Sequence, residues 1–416
     1  MKRFLRLSIL GAMVLMSTLP AFNALHAGQP PVKTDIKLTE FQREMQESNN
    51  DFACNLFRTI HEQKQDNGST IVSPISVSFL LGMLEQGAEG ETYQQIADVL
   101  GLGGSIEEIS KYFKKMMEGA PRVDSRVTVK IANSINVNSA LGIRLIPDYQ
   151  ADMIKYYHAQ VDELDFKKES SLHHINNWCN THTGGKIPKI LDELTTDAAM
   201  YLLNAVYFKA SWTKKFDPKL TRELDFTKQD GSTVKRQMMH LKTRAAYGED
   251  DLCKMLSLPY GSGGYSMYVL LPHDGKTIGD IIQNLTAQKL KQVKMRTSTS
   301  HEVDILLPRF TTAGETNLKG VLSSMGMPLA FDKNLAEFPY MSQVPEGLYV
   351  SMMKQVARIE VNEDGTVATA VTVAETTNRS MHISNVYTFY ATHPFVYYIV
   401  ENSTGTIFFM GAYCGD

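Results

Sequence analysis

Phe52, Leu56, Phe57 and Ile60 recur at the spacing of one helical face, which predicts an amphipathic helix from about Glu47 to Gln65. Ser73-Pro74 opens a second helix. Ser73 suits an N-cap, and Pro74 suits the first helical position, where its missing N–H costs nothing. Val77, Phe79, Leu80, Leu81, Met83 and Leu84 then make that helix apolar nearly all round, so it is expected to be buried until Gly87 and Gly90 break it. Thr92 starts a third helix through Ile96 and Leu100. Further helical patterns fall at 148–160, 175–183, 277–293 and 318–325. Strand patterns fall at 127–137, 161–166, 201–209, 303–310 and 350–361. Residues 254–259 and 265–272 read as a hairpin around Gly261-Ser262-Gly263-Gly264, and 395–401 and 406–413 as a C-terminal strand pair. Helices dominate the first third and strands the last. That ordering predicts an α+β fold rather than a regular alternation of strand and helix. Neither an internal repeat nor a Pro/Gly/Ser linker divides the chain.

One segment departs from ordinary patterning. EDGTVATAVTVAETTNRS, Glu363 to Ser380, has no proline, and from Thr366 to Ala374 it has no charge. Successive strand residues point to opposite faces, so Thr366, Ala368, Ala370 and Thr372 form a small face. Val367, Thr369, Val371 and Val373 form a β-branched one. Such a segment is able to slide between two existing strands, yet it ends in an Arg-Ser pair suited to a protease. Taken alone, it also fits a half-buried strand followed by a turn.

Composition narrows the classes. A net charge of −3 over 416 residues gives no bulk attraction to nucleic acid or to an anionic membrane. Lys2, Arg3 and Arg6 precede an apolar run from Leu7 to Leu19 that is too short to span a bilayer, and Ala27 is a candidate cleavage point. Residues 1–27 therefore read as a secretory signal peptide, 28–46 as a flexible lead-in, and 47–416 as one domain that is exported, extracellular or periplasmic. Cys54, Cys179, Cys253 and Cys414 have no CxxC or zinc spacing. Cys54 and Cys179 read as buried thiols, with a single bridge still open.

Catalytic motifs are missing. GxSxG, HExxH, GxGxxG and GxxxxGK[ST] do not occur. Thr183-Gly184-Gly185-Lys186 has Ile187 where a phosphate loop needs Ser or Thr, and it reads as a helix cap and turn. Adjacent His173 and His174 do not face each other on a helix. Glu249-Asp250-Asp251 lacks the glycine and terminal glutamate of a calcium loop. The chain is expected to be neither an enzyme nor a metal or cofactor protein.

Together these segments resemble the serpin family from roughly Glu47 to the C-terminus. The resemblance is carried by NGSTIVSPISVSFLLGMLEQGAEGETYQQIADVLG, INNWCNTHTGGKIPKIL, LLNAVYFKASWTKKF, LPRF and FYATHPFVYYIVENSTGTIFFMG in that order. It implies three β-sheets, about nine helices and an exposed reactive loop at about 363–388. When cut, that loop enters the main sheet as a new strand and traps the protease as an acyl-enzyme. Glu363, Gly365 and Thr366 match the hinge, and Val367, Ala368, Thr369, Ala370, Val371 and Thr372 match the entering strand. Counting from Gly365 places the bait at Arg379 and the cut before Ser380; Thr377, Asn378 and Met381 are neighbouring alternatives. Ser73, Ser76, Asn204 and Gln355 match a polar cluster where the sheet must open, and Trp212 an aromatic residue at its top. The small face is expected to lie against the helix that covers the sheet. The resemblance implies a monomeric, secreted inhibitor of trypsin-like serine proteases or Arg-specific cysteine proteases. A non-inhibitory binding or carrier serpin is the alternative.

Overall fold

Apolar spacing builds the helices of the first third, and capping side chains set where they start. In α1 (Glu40–Gln63), Thr39 and Gln42 cap each other's backbone N–H at 3.2 Å. The helix therefore begins seven residues before the expected start at Glu47 and takes in the end of the expected lead-in. The computed structural model describes residues 33–64, 66, 68–342, 347–366 and 386–416. The expected signal peptide and residues 367–385 lie outside them.

The chain continues through β1 (Thr70–Val72), α2 (Pro74–Gly87), α3 (Gly90–Leu100), α4 (Ile106–Gly119), β2 (Val127–Asn138), α5 (Pro147–Tyr157), β3 (Gln160–Leu164), α6 (Glu169–His182) and β4 (Met200–Ser211). It then forms β5 (Arg222–Thr227), β6 (Thr233–Glu249), β7 (Cys253–Tyr260), β8 (Tyr265–Pro272), α7 (Ile278–Gln283), α8 (Ala287–Arg296), β9 (Ser300–Pro308), β10 (Phe310–Asn317) and α9 (Leu318–Met325). The last elements are β11 (Val350–Asn362), β12 (Gly365–Thr366), β13 (Tyr387–Tyr390), β14 (Phe395–Glu401) and β15 (Ile407–Tyr413). These make nine α-helices among the described residues, and the fold is α+β. The helix expected over 277–293 is two, because Thr286 caps a new start at Lys289 N and Asp51 accepts from Ala287 N at 2.8 Å.

The strands form two hydrogen-bonded ladders. One has six strands in the order β10-β11-β12-β4-β2-β3; the other has nine, from β1-β15-β14-β8-β7 through β6 to β9-β13, with β5 on β6. The long β6 pairs with β5 near its start, β9 along its middle and β7 only at Ala246–Glu249. The three expected sheets thus appear as the six-stranded sheet and a second ladder with two arms, joined because β6 runs through both.

Alternation on β4 separates two cores. Tyr201, Leu203 and Ala205 pack with Ile175, Trp178 and Cys179 of α6 in a satellite cluster. Met200, Leu202, Val206 and Phe208 point the other way, into the main core shared with the nine-stranded ladder. Every residue of α2 except Gln86 is buried in that main core, as its all-round apolarity predicts.

All four cysteines are free and buried. Burial pushes the Cys54, Cys179 and Cys253 thiols up to about 12 and Cys414 to about 11. Thiol titration is expected to find four reactive thiols in denaturant and almost none in the native protein. A mass consistent with a disulfide in the denatured, unreduced chain would contradict this.

Candidate functional site

The candidate site is the seam between β4 and β11 in the middle of the six-stranded sheet. These strands run parallel, with Val350 opposite Met200 and Arg358 opposite Tyr207. Above that point they part, and β12 fills the gap. Thr366 pairs with both Val361 and Ala210, and Gly365 with both Asn362 and Ser211. Both pairings are antiparallel. The third and fourth residues of the segment singled out by its patterning, Gly365 and Thr366, are therefore already held between the two strands.

Gly365 is required there. Its φ is +137°, and a Cβ would sit 2.1 Å from Ala210 O. Thr366 is fully buried, and its hydroxyl lies 3.0 Å from Tyr260 Oη in the main core. The satellite cluster under α6 is on the opposite face of the sheet. This corrects, at Thr366, the expectation that the small face lies against the covering helix: Thr366 faces the main core.

The turn before Gly365 is anchored to both sides. Trp212 Nε1 donates to Asn362 O at 2.9 Å, Trp212 N donates to Asp364 O at 2.7 Å, and the indole stacks on Tyr260 with centroids 4.3 Å apart. Lys215 Nζ pairs with Asp364 at 2.8 Å. Arg309, between β9 and β10, reaches both Glu363 carboxylate oxygens from Nε at 2.7 and 2.8 Å, and Thr221 adds a hydroxyl donor at 2.5 Å. Burial pushes the Glu363 carboxyl up, but the Arg309 and Thr221 hydrogen bonds outweigh it, and its pKa lies below the usual carboxylate value.

Lower down, the seam is joined by amides. Gln355 Nε2 donates to Asn204 Oδ1 at 3.2 Å across the two strands. Gln355 also accepts from Ser73 N at 2.7 Å and donates to Ser73 O at 2.9 Å, while the Ser73 and Ser76 hydroxyls lie 3.0 Å apart. Asn204 Nδ2 donates to Asn133 Oδ1 at 2.9 Å and Ala132 O at 3.2 Å on β2. The structure thus gathers Ser73, Ser76, Asn204 and Gln355 in one place and adds Asn133, which sequence reasoning missed. A polar residue inside the alternating VTVKIANSINV run was the available signal. Trp212 stands apart, at the top with Glu363, Gly365 and Thr366. Val367, Ala368, Thr369, Ala370, Val371, Thr372, Arg379 and Ser380 lie outside the described residues. Among the described residues no group of three or more His, Cys, Asp and Glu side chains clusters as for a metal ion.

Gly365→Ala is expected to drive β12 out of the seam, shifting Trp212 fluorescence and speeding proteolysis near the hinge; an unchanged spectrum and digest would refute the wedge. Because the Glu363 pKa is lowered, its stabilisation is present above the ordinary value of 4.5 and is lost as pH falls through the lowered one. Arg309→Met should cost about 2 kcal/mol at neutral pH, with the difference from wild type narrowing in acid. Thermal melts of both proteins across that range check it.

Residues 47–415 match the family model described as Serpin (serine protease inhibitor). Serpin B8 of Homo sapiens is 31% identical over 374 residues, covering 88% of this chain and 98% of that protein. The leukocyte elastase inhibitor of Equus caballus is 31% identical over 377 residues, with the same coverages of 88% and 98%. Among solved structures, the thermophilic serpin Tengpin in its native state superposes with a TM-score of 0.81 at 28% identity, covering 92% of this chain and 98% of that one. Human thyroxine-binding globulin, solved with its hormone, gives a TM-score of 0.81 at 26% identity, with coverages of 89% and 98%. Relatives of this kind are protease inhibitors, not enzymes, although some members are binding proteins. The chain belongs to the serpin family.

Proposed function

We propose that this serpin is a secreted, single-use inhibitor of Arg-specific proteases, with Arg379–Ser380 as the bond they attack. The observation that carries the reading is the wedge at the top of the seam, where Gly365 and Thr366 already pair with β11 on one side and β4 on the other. The residues that follow need only continue in the same direction. Each step downward would exchange a parallel β4–β11 pairing for two antiparallel ones. Parallel pairing is slightly the weaker, and each net hydrogen bond contributes roughly 1 kcal/mol. Insertion is therefore downhill, provided the entering side chains fit, and Thr366, Ala368, Ala370 and Thr372 present a small face to the main core.

An Arg bait suits a primary pocket with a buried carboxylate. A trypsin-like serine protease or an Arg-specific cysteine protease would attack the Arg379 carbonyl and release the Ser380 amine. The acyl bond would then be carried off by the inserting strand before water reaches it. No charge, proline or bulky residue interrupts the small face, which favours trapping over simple cleavage. Export follows from the basic, apolar and small-residue order of residues 1–27.

Incubation with trypsin is expected to yield an SDS-resistant complex, and Arg379→Glu is expected to abolish it without changing the melting curve. If trypsin cuts the loop and leaves active, the inhibitory reading fails. The thyroxine-bound relative makes a carrier role the second reading. Loop cleavage separates the two, because an insertion-competent molecule melts far higher after the cut.

A further inference from the structure

The C-terminal end of α2 holds a carboxylate that has no partner for its charge. Glu85 is only 2% exposed, and its Oε2 is buried without a hydrogen-bond partner among the described residues. Its surroundings are tightly packed. One turn earlier, a Cβ on Gly82 would meet Phe113 of α4 at 2.7 Å and Tyr157 Oη of α5 at 2.9 Å. Tyr149 Oη donates to Met83 O at 3.0 Å.

Among the described residues, the titratable groups around this end offer no cation. α3 contributes Tyr93, and α5 contributes Tyr149, Tyr157 and Asp152, the last already bonded to Gln86 at 2.6 Å. α4 turns Ser110 and Phe113 inward, while its Lys111 and Lys114 pair with Glu107 and Glu118 at the surface. The segment crossing Gly87 brings Tyr340, bonded to Glu89, and Glu337, close to Gly90. α1 meets α2 about two turns earlier, where Asn49 donates to Ser78. Burial alone pushes the Glu85 carboxyl up to about 7.

The other end of the same helix is the seam. Ser73 stands at the N-cap position of α2 with its hydroxyl on that of Ser76 rather than on a helix N–H, and its backbone holds Gln355 by two hydrogen bonds. Glu85 and Ser73 thus stand at opposite ends of one continuous buried helix.

We propose that Glu85 makes α2 a proton-operated latch on the main sheet: neutral, it seats the helix and keeps the β4–β11 seam closed; ionised, it loosens the helix and lets the seam open more readily. The direction follows from linkage. A carboxyl whose folded-state pKa is raised from 4.5 to about 7 contributes stability below 4.5 that is progressively lost as pH rises through about 7. Half-buried His61 and His393, whose pKa values partial burial lowers, act in the opposite direction, so the variants rather than the wild-type profile isolate Glu85. The link to the seam rests on reading that seam as the insertion slot. It is measured on the free protein without protease, so failure of this coupling and failure of trypsin trapping are separate results.

The test compares wild type with Glu85→Gln and Glu85→Met, one keeping a polar head and the other removing it. Thermal melts from about pH 5.5 to about pH 8.5 are read alongside hydrogen-exchange protection of Leu203–Tyr207 and Lys354–Arg358. Wild type is expected to lose melting temperature across that range through a midpoint near pH 7, with both variants flatter. Seam amides are expected to exchange on the order of tenfold more slowly in the variants than in wild type at the alkaline end, and equally at the acid end. The same pH profile in all three proteins would overturn the proposal. Flattened melts with unchanged seam protection would overturn the latch and leave only a local titration.

Discussion

Everything in this molecule turns on a parallel strand pair whose top is already wedged by the chain that follows it. β4 and β11 lie side by side in the middle of the sheet, yet the segment that follows β11 has already entered between them from above. Two antiparallel ladders satisfy more backbone than one parallel ladder, so the closed seam persists through its local fastenings and through the cost of parting the strands. The polar cluster is arranged to part along a single line. Gln355 stays bonded to Ser73, and Asn204 stays bonded to Asn133 and Ala132; only the 3.2 Å bond between the two amides spans the seam. A buried polar group is costly when left alone and tolerable when partnered. Here each side keeps its own partners after separation, which an interlocked apolar pair would not do as cheaply.

The upper fastenings have the opposite character. Trp212 holds the turn from the β4 side through Asn362 O and Asp364 O, and Arg309, just before β10, holds Glu363 from the other side. These contacts fix the chain on either side of the wedge and do not need to break for the wedge to deepen. The hinge is therefore a fixed starting point, and the cluster below is the part that yields. Gly365 permits both, because only a residue without a Cβ passes this close to Ala210 O at φ +137°.

Long, strongly periodic elements were legible in the sequence. The buried α2, the central β4, the β7–β8 hairpin and the C-terminal β14–β15 pair all stand where apolar runs and turn glycines predict them. The omissions share a cause. α4 is amphipathic but rich in lysine and glutamate, and its signal was the Ser105–Glu108 capping box rather than an apolar run. β6 alternates charged with apolar residues because one of its faces is wet, and β10 is masked by Pro308 and Arg309, where the chain changes sheets. Ser73, Ser76, Asn204 and Gln355 were found through family resemblance rather than physical chemistry. Asn133 was missed because a lone buried amide in a strand reveals its partners only when the neighbouring strands are in register. The direction of the small face was misread for the same reason: alternation says which residues share a face, but not which core that face meets.

That direction decides what insertion must displace. At Thr366 the face toward the main core holds a small residue, so under the proposed insertion the side chains around Asn204 and Gln355 would need little rearrangement. The opposite face of the seam is covered by α6, whose Ile175, Trp178 and Cys179 rest on Tyr201, Leu203 and Ala205 of β4 and on Val356 of β11. A strand entering between β4 and β11 passes beneath this helix and spreads the surface on which it sits. The helix rests on a satellite cluster separate from the main core, and its further ties are polar ones, His174 to Asp162 on β3 and Asn176 to Ile190 and Leu191, so displacing it would leave the main core intact. Under the proposed insertion, satellite packing of α6 would let the cover over the seam give way without unfolding the main core.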